Sequence, residues 1–258
     1  MRQILISLSS FGAAEVRRHG QSYFACLSQA AGADGIEVRG ELLTDSAAEL
    51  DSIAQVVREA AMDCVYSSPE GLCQAGGGLD GAALDRGLES ASTLGATRLK
   101  MSIGGFGAGS PATLAALHGR LWHGAIELVI ENDQTAAAGS LAAMRRFFAA
   151  LAASGLPLGM TFDMGNWHWT GECPLEAAKA LAPHVRYVHC KGVQRQPQHW
   201  VAVPLVDSAA SWRAVLGRLP ADVPWAIEYP LAGDDLLATT RSEIRQLREI
   251  AAQMEPVA

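Results

Sequence analysis

Short apolar runs rich in β-branched residues alternate along the chain with longer segments that carry leucine and alanine at helical spacing. Segments such as Ser140–Leu151 and about Asp234–Met254 repeat apolar residues at helical intervals, which predicts amphipathic helices. The shorter runs are typical of buried strands. They predict strands at Gln3–Ser9, Gly35–Arg39, Asp63–Ser68, Arg98–Ser102, Ile126–Asn132, Leu158–Met164, Val185–Cys190 and Trp225–Tyr229.

The spacing of these runs indicates one repeated unit. The positions that mark successive strand ends, from Ser9 to Glu228, follow one another at intervals of roughly 31 residues, enough for one strand and one crossover helix. Eight such units without a break in composition predict an α/β protein in which residues 1–258 form a single (β/α)8 barrel, a TIM barrel. A doubly wound open sheet would show a similar alternation, but the even spacing favours the closed barrel.

Composition and charge restrict the expected partners. The chain has 20 Lys and Arg against 27 Asp and Glu, a net charge of −7, so we expect no binding to nucleic acid, which requires a basic surface. No apolar run approaches the roughly 18 residues of a membrane span, and no secretory segment is recognisable, so we expect no membrane association. The five cysteines are scattered without a CxxC pair, which argues against disulfides and predicts a cytoplasmic location. The sequence leaves open whether the protein forms a homo-oligomer.

Metal-binding residues occur at the ends of the last four predicted strands. Because the carboxyl ends of barrel strands meet at one face, we expect these four side chains to converge there. Each alone would be explained by a salt bridge, but four buried polar groups at one point call for a shared compensating charge. Three carboxylates and one imidazole predict one divalent ion, Mn²⁺ or Mg²⁺, with Co²⁺ or Zn²⁺ as alternatives. The predicted ligands are Glu131, Asp163, His189 and Glu228.

The motifs around these residues resemble those of the xylose isomerase-like family of TIM-barrel sugar isomerases and epimerases. Within that family the chain resembles in particular the epimerases encoded with enzymes of 2-ketogluconate utilisation. The segment Gly35–Arg39, which contains Glu37, matches the second strand of the family. The remaining similarity lies in Ile130–Asp133, Phe162–Asn166, His189–Lys191 with Arg195 six residues after the histidine, and Ile227–Tyr229.

The resemblance implies roles for individual residues. It implies that the four predicted ligands bind the metal, that Glu131 and Glu228 also transfer protons, and that Arg195 holds a substrate oxygen. Two positions depart from the family, since Asn166 replaces a substrate-binding histidine and Ala137 replaces a carboxylate. Further candidates for substrate contacts are Glu37, Lys100, Asn166, His168 and Lys191.

These features predict a metal-dependent sugar isomerase or epimerase that acts on a small keto sugar or keto sugar acid through an enediolate. The metal would acidify the C–H beside the carbonyl, and Glu131 and Glu228 would move the proton. Two alternatives stay open: a metal-dependent lyase resembling inosose dehydratases, and a non-catalytic sugar-binding barrel. An abasic-site endonuclease on the same barrel would need more histidine ligands and a basic face, which this sequence lacks.

Overall fold

Eight parallel strands close into a barrel, in the order β1-β10-β7-β6-β5-β4-β3-β2. The computed structural model describes residues 2–44, 46–107, 111–121 and 125–254. Two further strands, β8 and β9, pair with each other as an antiparallel hairpin. The strands are β1 (Ile4–Ser7), β2 (Gly35–Arg39), β3 (Asp63–Cys73), β4 (Arg98–Gly104), β5 (Glu127–Glu131), β6 (Gly159–Asp163), β7 (Val185–Cys190), β8 (Gly192–Arg195), β9 (Trp200–Val203) and β10 (Trp225–Ile227).

Helices connect the barrel strands and cover the outside of the sheet. The predicted helix Ser140–Leu151 is observed with its cap, because the Ser140 hydroxyl accepts a hydrogen bond from the backbone N–H of Ala143 at 3.3 Å. The helices are α1 (Ala13–His19), α2 (Gln21–Ala31), α3 (Ser46–Ala60), α4 (Gly81–Leu94), α5 (Pro111–Leu121), α6 (Ala136–Gly139), α7 (Leu141–Ala153), α8 (Pro174–Leu181), α9 (Trp212–Leu216) and α10 (Leu236–Met254).

The predicted (β/α)8 barrel is therefore confirmed. Several strand ends differ by one or two residues from the prediction, and two differences are larger. Strand β3 continues to Cys73, past a register shift between Ser67 and Gly71, where the sequence predicted an end at Ser68. The hairpin β8–β9 was not predicted. It occupies the longest interval between predicted strand ends, from His189 to Glu228, and so accounts for the extra length of that unit.

The apolar residues form two separate clusters that define the inside and the outside of the barrel. Ile4 and Ile6 pack in the large cluster between strands and helices, whereas Leu5 packs in a small inner cluster with Val65, Tyr187 and Ala226. This alternation is the period of two expected of a strand with both faces covered. Further along the strands, toward their carboxyl ends, the inward positions become polar and charged. The interior of the barrel thus changes from apolar to ionic in the direction in which the strands run.

No helix among the described residues combines the length and the apolar character that crossing a bilayer requires.

The cap of α7 allows a test of the fold. Replacing Ser140 by Ala removes the side-chain acceptor at the helix start and should lower the free energy of unfolding by about 1 kcal/mol, measured by urea denaturation. Ser154→Ala, at the other end of α7, removes a hydroxyl that only donates to the Ala150 carbonyl at 3.0 Å, and it should cost less. Equal losses for the two variants would contradict the capping role.

Candidate metal centre

The four predicted ligands converge at the carboxyl end of the barrel. They lie at the ends of β5, β6 and β7 and directly after β10, and one ligand-capable atom from each lies within 4.8 Å of the others. His189 Nδ1 is 2.9 Å from Glu131 Oε1, 2.9 Å from Glu228 Oε2 and 3.6 Å from Asp163 Oδ2. Ligands about 2.1–2.3 Å from one ion lie about 3–4.6 Å apart, so the spacing suits a shared divalent cation.

The atoms of the cluster that face one another also fit a cation. Glu131 Oε1, Asp163 Oδ2, His189 Nδ1 and Glu228 Oε2 are buried and make no hydrogen bond of acceptable geometry with the described residues. These are the same four atoms that point toward one another. The Lys191 ammonium lies 2.7 Å from Asp163 Oδ2 and from Glu228 Oε2, so a positive charge already stands beside two of the four atoms. Three carboxylate oxygens and one imidazole nitrogen that converge on one point are a donor set suited to a divalent cation. The residues present therefore fit a bound divalent metal.

The imidazole of His189 is oriented by a residue behind it. Glu37 is fully buried, and its Oε2 lies 2.7 Å from His189 Nε2. In the tautomer that donates Nε2–H to this carboxylate, the lone pair of Nδ1 would face the centre, which is the usual arrangement of metal-binding histidines. Burial alone would lower the pKa of His189, but the carboxylates of Glu228 and Glu37 raise it well above the usual value.

Asp163 is held by the turn that follows it. Its Oδ1 accepts hydrogen bonds from the backbone N–H groups of Gly165 at 2.8 Å and Asn166 at 2.9 Å. Asn132, which follows the neighbouring strand β5, fixes the backbone of Asp163. The side-chain Oδ1 of Asn132 accepts a hydrogen bond from the Asp163 N–H at 2.9 Å, and its Nδ2 donates to the Asp163 carbonyl at 3.0 Å. Burial, with the nearby carboxylate of Glu228, raises the pKa of Asp163 despite the ammonium of Lys191. Only Oδ2 of Asp163 is directed to the centre.

The two glutamates each have one oxygen bound by a cation from the protein. Lys100 Nζ lies 2.8 Å from Glu131 Oε2, and Arg39 Nη1 lies 2.5 Å from Glu228 Oε1. Burial opposes ionisation of both carboxyls, but the pKa of Glu131 is held below its usual value by Lys100 and His189. The pKa of Glu228 is held well below its usual value by His189 and Lys191. Both glutamates are therefore carboxylates at neutral pH, with the second oxygen directed to the centre.

Lys100 and Glu37, which the sequence predicted as substrate contacts, lie behind the metal-ligand cluster. Lys100 is 1% exposed and bridges Glu131 to Glu37 Oε1, which is 2.9 Å from its ammonium nitrogen. Glu37 Oε1 also lies 3.3 Å from Arg39 Nη1. Since their polar atoms are bound to residues of the centre, we interpret both as positioning residues. Their predicted contact with substrate stays a prediction.

Lys191 faces the centre, as the sequence predicted for the loop after the seventh strand. Its ammonium lies 2.7 Å from Asp163 Oδ2 and 2.7 Å from Glu228 Oε2, and 3.1 Å from Asn166 Oδ1. Asn166 accepts a second hydrogen bond from Gln134 at 3.1 Å and donates to the Asn132 carbonyl at 2.9 Å. Asn166 thus supports Lys191 within the protein.

Arg195 and His168 lie elsewhere. They line a recess of about 690 Å³ between the segment after β6 and the hairpin β8–β9, and none of the four cluster residues lines it. Arg195 Cζ is 5.2 Å from the ring centroid of Trp200, and the His168 and Trp200 ring centroids are 4.8 Å apart. The structure therefore groups these two predicted substrate contacts with each other and not with the metal-ligand cluster.

Two smaller cavities give separate access to the glutamates. A cavity of about 270 Å³ is lined by Glu131 together with Arg39 and Lys100. A cavity of about 210 Å³ is lined by Glu228 and Lys191. The sequence predicted that Glu131 and Glu228 approach a bound molecule from different sides, and their placement in different cavities agrees with that geometry.

Sequence reasoning missed Arg39 and Asn132 as residues of the site. Arg39 belongs to the second-strand motif, and its backbone is fixed by Gln21, whose side chain accepts from the Arg39 N–H at 2.8 Å and donates to its carbonyl at 2.9 Å. Asn132 follows Glu131 directly and is fully buried. The available signal was a polar residue adjoining a strand end, which is too common to select them.

Comparison with known proteins supports the fold. Neither a protein-family model nor a curated protein sequence matches the chain. Among solved structures, a xylose isomerase-like TIM barrel/4-hydroxyphenylpyruvate dioxygenase fusion protein matches with a TM-score of 0.75 and 12% identity, over 98% of this chain and 43% of its own. A zinc-bound IOLI protein matches with a TM-score of 0.72 and 12% identity over 100% of both chains. An L-ribulose 3-epimerase matches with a TM-score of 0.67 and 16% identity, over 98% of this chain and 96% of its own.

These likenesses show the fold: the barrel is similar to those of xylose isomerase-like TIM-barrel proteins, as the resemblance of the motifs predicted. This chain spans less than half of the fusion protein and nearly all of the other two structures.

The contact between Glu37 and His189 generates a test of the metal centre. Glu37→Gln keeps the shape but loses the carboxylate behind the imidazole, and such changes typically weaken metal affinity about 10–100-fold. We expect that loss for Mn²⁺, measured by titration calorimetry. Glu41→Gln is the matched control, because Glu41 also contacts Arg39, at 2.9 Å, but does not contact His189. Unchanged affinity in Glu37→Gln, or an equal loss in both variants, would refute the orienting role.

Proposed function

We propose that this chain is a divalent-metal-dependent isomerase or epimerase that acts on a small keto sugar or keto sugar acid through an enediolate. The observation that carries the proposal is the paired placement of Glu131 and Glu228. Lys100 binds one oxygen of Glu131 and Arg39 binds one oxygen of Glu228. The second oxygen of each glutamate is directed to the centre, where that of Glu228 also contacts Lys191, and each glutamate lines a different cavity.

A divalent ion held by Glu131, Asp163, His189 and Glu228 would polarise the carbonyl of a keto sugar and make the neighbouring C–H acidic. The chain's own residues would carry out the proton transfers. One glutamate removes the proton, and its low pKa, described above, keeps it ionised for this step. Return to the neighbouring carbon gives isomerisation, and return to the opposite face of the same carbon gives epimerisation.

The positioning residues would hold this geometry during the reaction. Arg39 keeps Glu228 in one rotamer, and Lys100 does the same for Glu131. The proton is then exchanged with the substrate without a rearrangement of the glutamate side chain. Lys191, on the side of Glu228, is placed to hydrogen-bond a substrate oxygen as negative charge develops there. The similarity in fold to an L-ribulose 3-epimerase supports this class of reaction, and that to the zinc-bound IOLI protein supports a metal.

Lys191 also favours a second candidate function, a metal-dependent dehydratase. The side chain of Lys191 is 9% exposed, and its ammonium lies beside Glu228 in one cavity. If Glu228 removes the proton and Lys191 protonates a departing β-hydroxyl, the product is the substrate minus one water. Product mass separates this reaction from isomerisation, which leaves the mass unchanged.

A solvent-exchange experiment tests the proposed function. The protein is loaded with Mn²⁺ or Mg²⁺ and incubated in D₂O with a panel of keto sugars and keto sugar acids, which are then analysed by mass spectrometry. We expect the true substrate to gain deuterium beside its carbonyl, because the enediolate is reprotonated by a group that exchanges with solvent. A protein that binds these sugars and catalyses neither exchange nor water loss would be a non-catalytic sugar-binding barrel.

Glu228→Gln should reduce the exchange rate at least about a hundredfold, the typical contribution of a general acid–base group. Glu176→Gln is the matched control, because Glu176 is exposed on the outer helix α8 and pairs with Lys179 at 2.7 Å. Thermal unfolding of each variant shows whether the fold is retained. Full exchange activity in a folded Glu228→Gln protein would end the assignment.

A further inference from the structure

The recess between the segment after β6 and the hairpin β8–β9 is larger than either cavity beside the metal-ligand cluster, and the proposed proton transfers do not use it. Its volume of about 690 Å³ falls within the range of small-molecule sites. It is lined by His168, Trp169, Thr170, Gly171, Glu172, Arg195, Gln198, His199 and Trp200.

Both walls of the recess begin at the metal-ligand cluster. The first wall follows Asp163, and the five residues from there to His168 span at most about 18 Å. The second wall is the hairpin, which begins one residue after Lys191. Lys191 and Asn166 join the bases of the two walls at 3.1 Å. The recess is therefore anchored at the metal-ligand cluster through both of its walls.

The side chains of the recess combine aromatic faces with hydrogen-bonding groups, among them one carboxylate and one guanidinium. Trp169 and Trp200 are both partly exposed. Glu172 uses one carboxylate oxygen to accept from the Leu141 N–H at 3.1 Å, which leaves the other for a ligand. No carboxylate of the described residues forms an ion pair with Arg195, so its guanidinium can also donate to a ligand.

This chemistry fits a sugar ring better than an anion. The C–H face of a pyranose packs on tryptophan, while its hydroxyls need donors and acceptors in a ring around the aromatic face. Glu172 and Arg195 carry opposite charges, so the recess has no cationic excess that would select a carboxylate or phosphate. His168 adds none, because burial lowers its pKa.

We propose that the recess binds a second sugar ring, glycosidically linked to the ketose whose carbonyl lies at the metal-ligand cluster. The substrate is then a glycosyl-ketose, and Trp200 with Trp169 recognises the ring that does not react. This inference rests on the proposed function for the position of the reacting ketose. It adds a distal subsite and a substrate class to that function.

Titration calorimetry in Mg²⁺ buffer tests the subsite directly. The ligands are fructose and a set of glucosyl-fructoses that differ in linkage, such as turanose, maltulose and isomaltulose. We expect at least one of them to bind about tenfold more tightly than fructose, which corresponds to about 1.4 kcal/mol. Trp200→Ala should abolish this difference, and Trp200→Phe, which keeps a ring, should restore part of it.

Two further variants complete the design. Trp169→Ala should also reduce the preference for the glucosyl-fructose over fructose. A loss in both variants shows that the effect does not come from a folding defect caused only by the substitution at position 200. Tyr23→Ala removes an aromatic ring that is 52% exposed on α2 and should leave the preference intact. If no glucosyl-fructose binds more tightly than fructose, or if Trp200→Ala keeps the preference, the proposal is overturned.

The deuterium assay, run on the same sugars, separates the two proposals. A binding preference that depends on Trp200, without exchange or water loss in any sugar, supports the subsite and contradicts the proposed reaction. If free and glucosylated ketoses bind equally and both gain deuterium, the result supports the proposed reaction and overturns the subsite.

Discussion

Four carboxylates lie together inside the barrel, where little water screens their mutual repulsion: those of Glu37, Glu131, Asp163 and Glu228. Removing such charges from water costs several kcal/mol for each ion unless opposite charges compensate it. Lys100, Lys191 and Arg39 each contact at least two of these carboxylates, so no ion pair in the group is independent of the others. The four ligand-capable atoms face one another at the point where these charges meet.

The geometry of the barrel makes this network rigid. Asp163 pairs with His189 in the parallel ladder, and Glu131 pairs with Thr161, so the polar side chains lie at similar heights on successive strands. In each of the three carboxylate ligands, the oxygen that points away from the centre is bound by a lysine, an arginine or the N–H groups of a turn. A side chain with one oxygen fixed in this way presents the other in a single direction. The barrel thus supplies a preorganised set of ligand atoms.

The sequence predicted the part of this arrangement that depends on local pattern. Apolar runs that end in a charged or imidazole side chain identified the positions of Glu131, Asp163 and His189, because the strand period and the parallel barrel bring such ends together. The pattern carries no information on partners across the barrel. Glu37 contacts His189 over 152 positions of sequence, and no local feature distinguishes it from a substrate contact. The hairpin was not predicted from the sequence. All four residues of β9 are half-buried, so this strand lacks the alternation of buried and exposed positions by which a strand is recognised.

The hairpin β8–β9 also separates the part of the protein that shapes the recess from the part that holds the metal ligands. It forms hydrogen bonds within itself and shares no ladder with the barrel, whereas the ligands stand on strands that are paired on both sides. Substitutions or insertions in the hairpin can therefore change the shape of the recess without moving a ligand atom. Among proteins with this barrel, divergence at this insertion would accumulate faster than at the strand ends, and new specificities could arise while the catalytic chemistry is inherited unchanged.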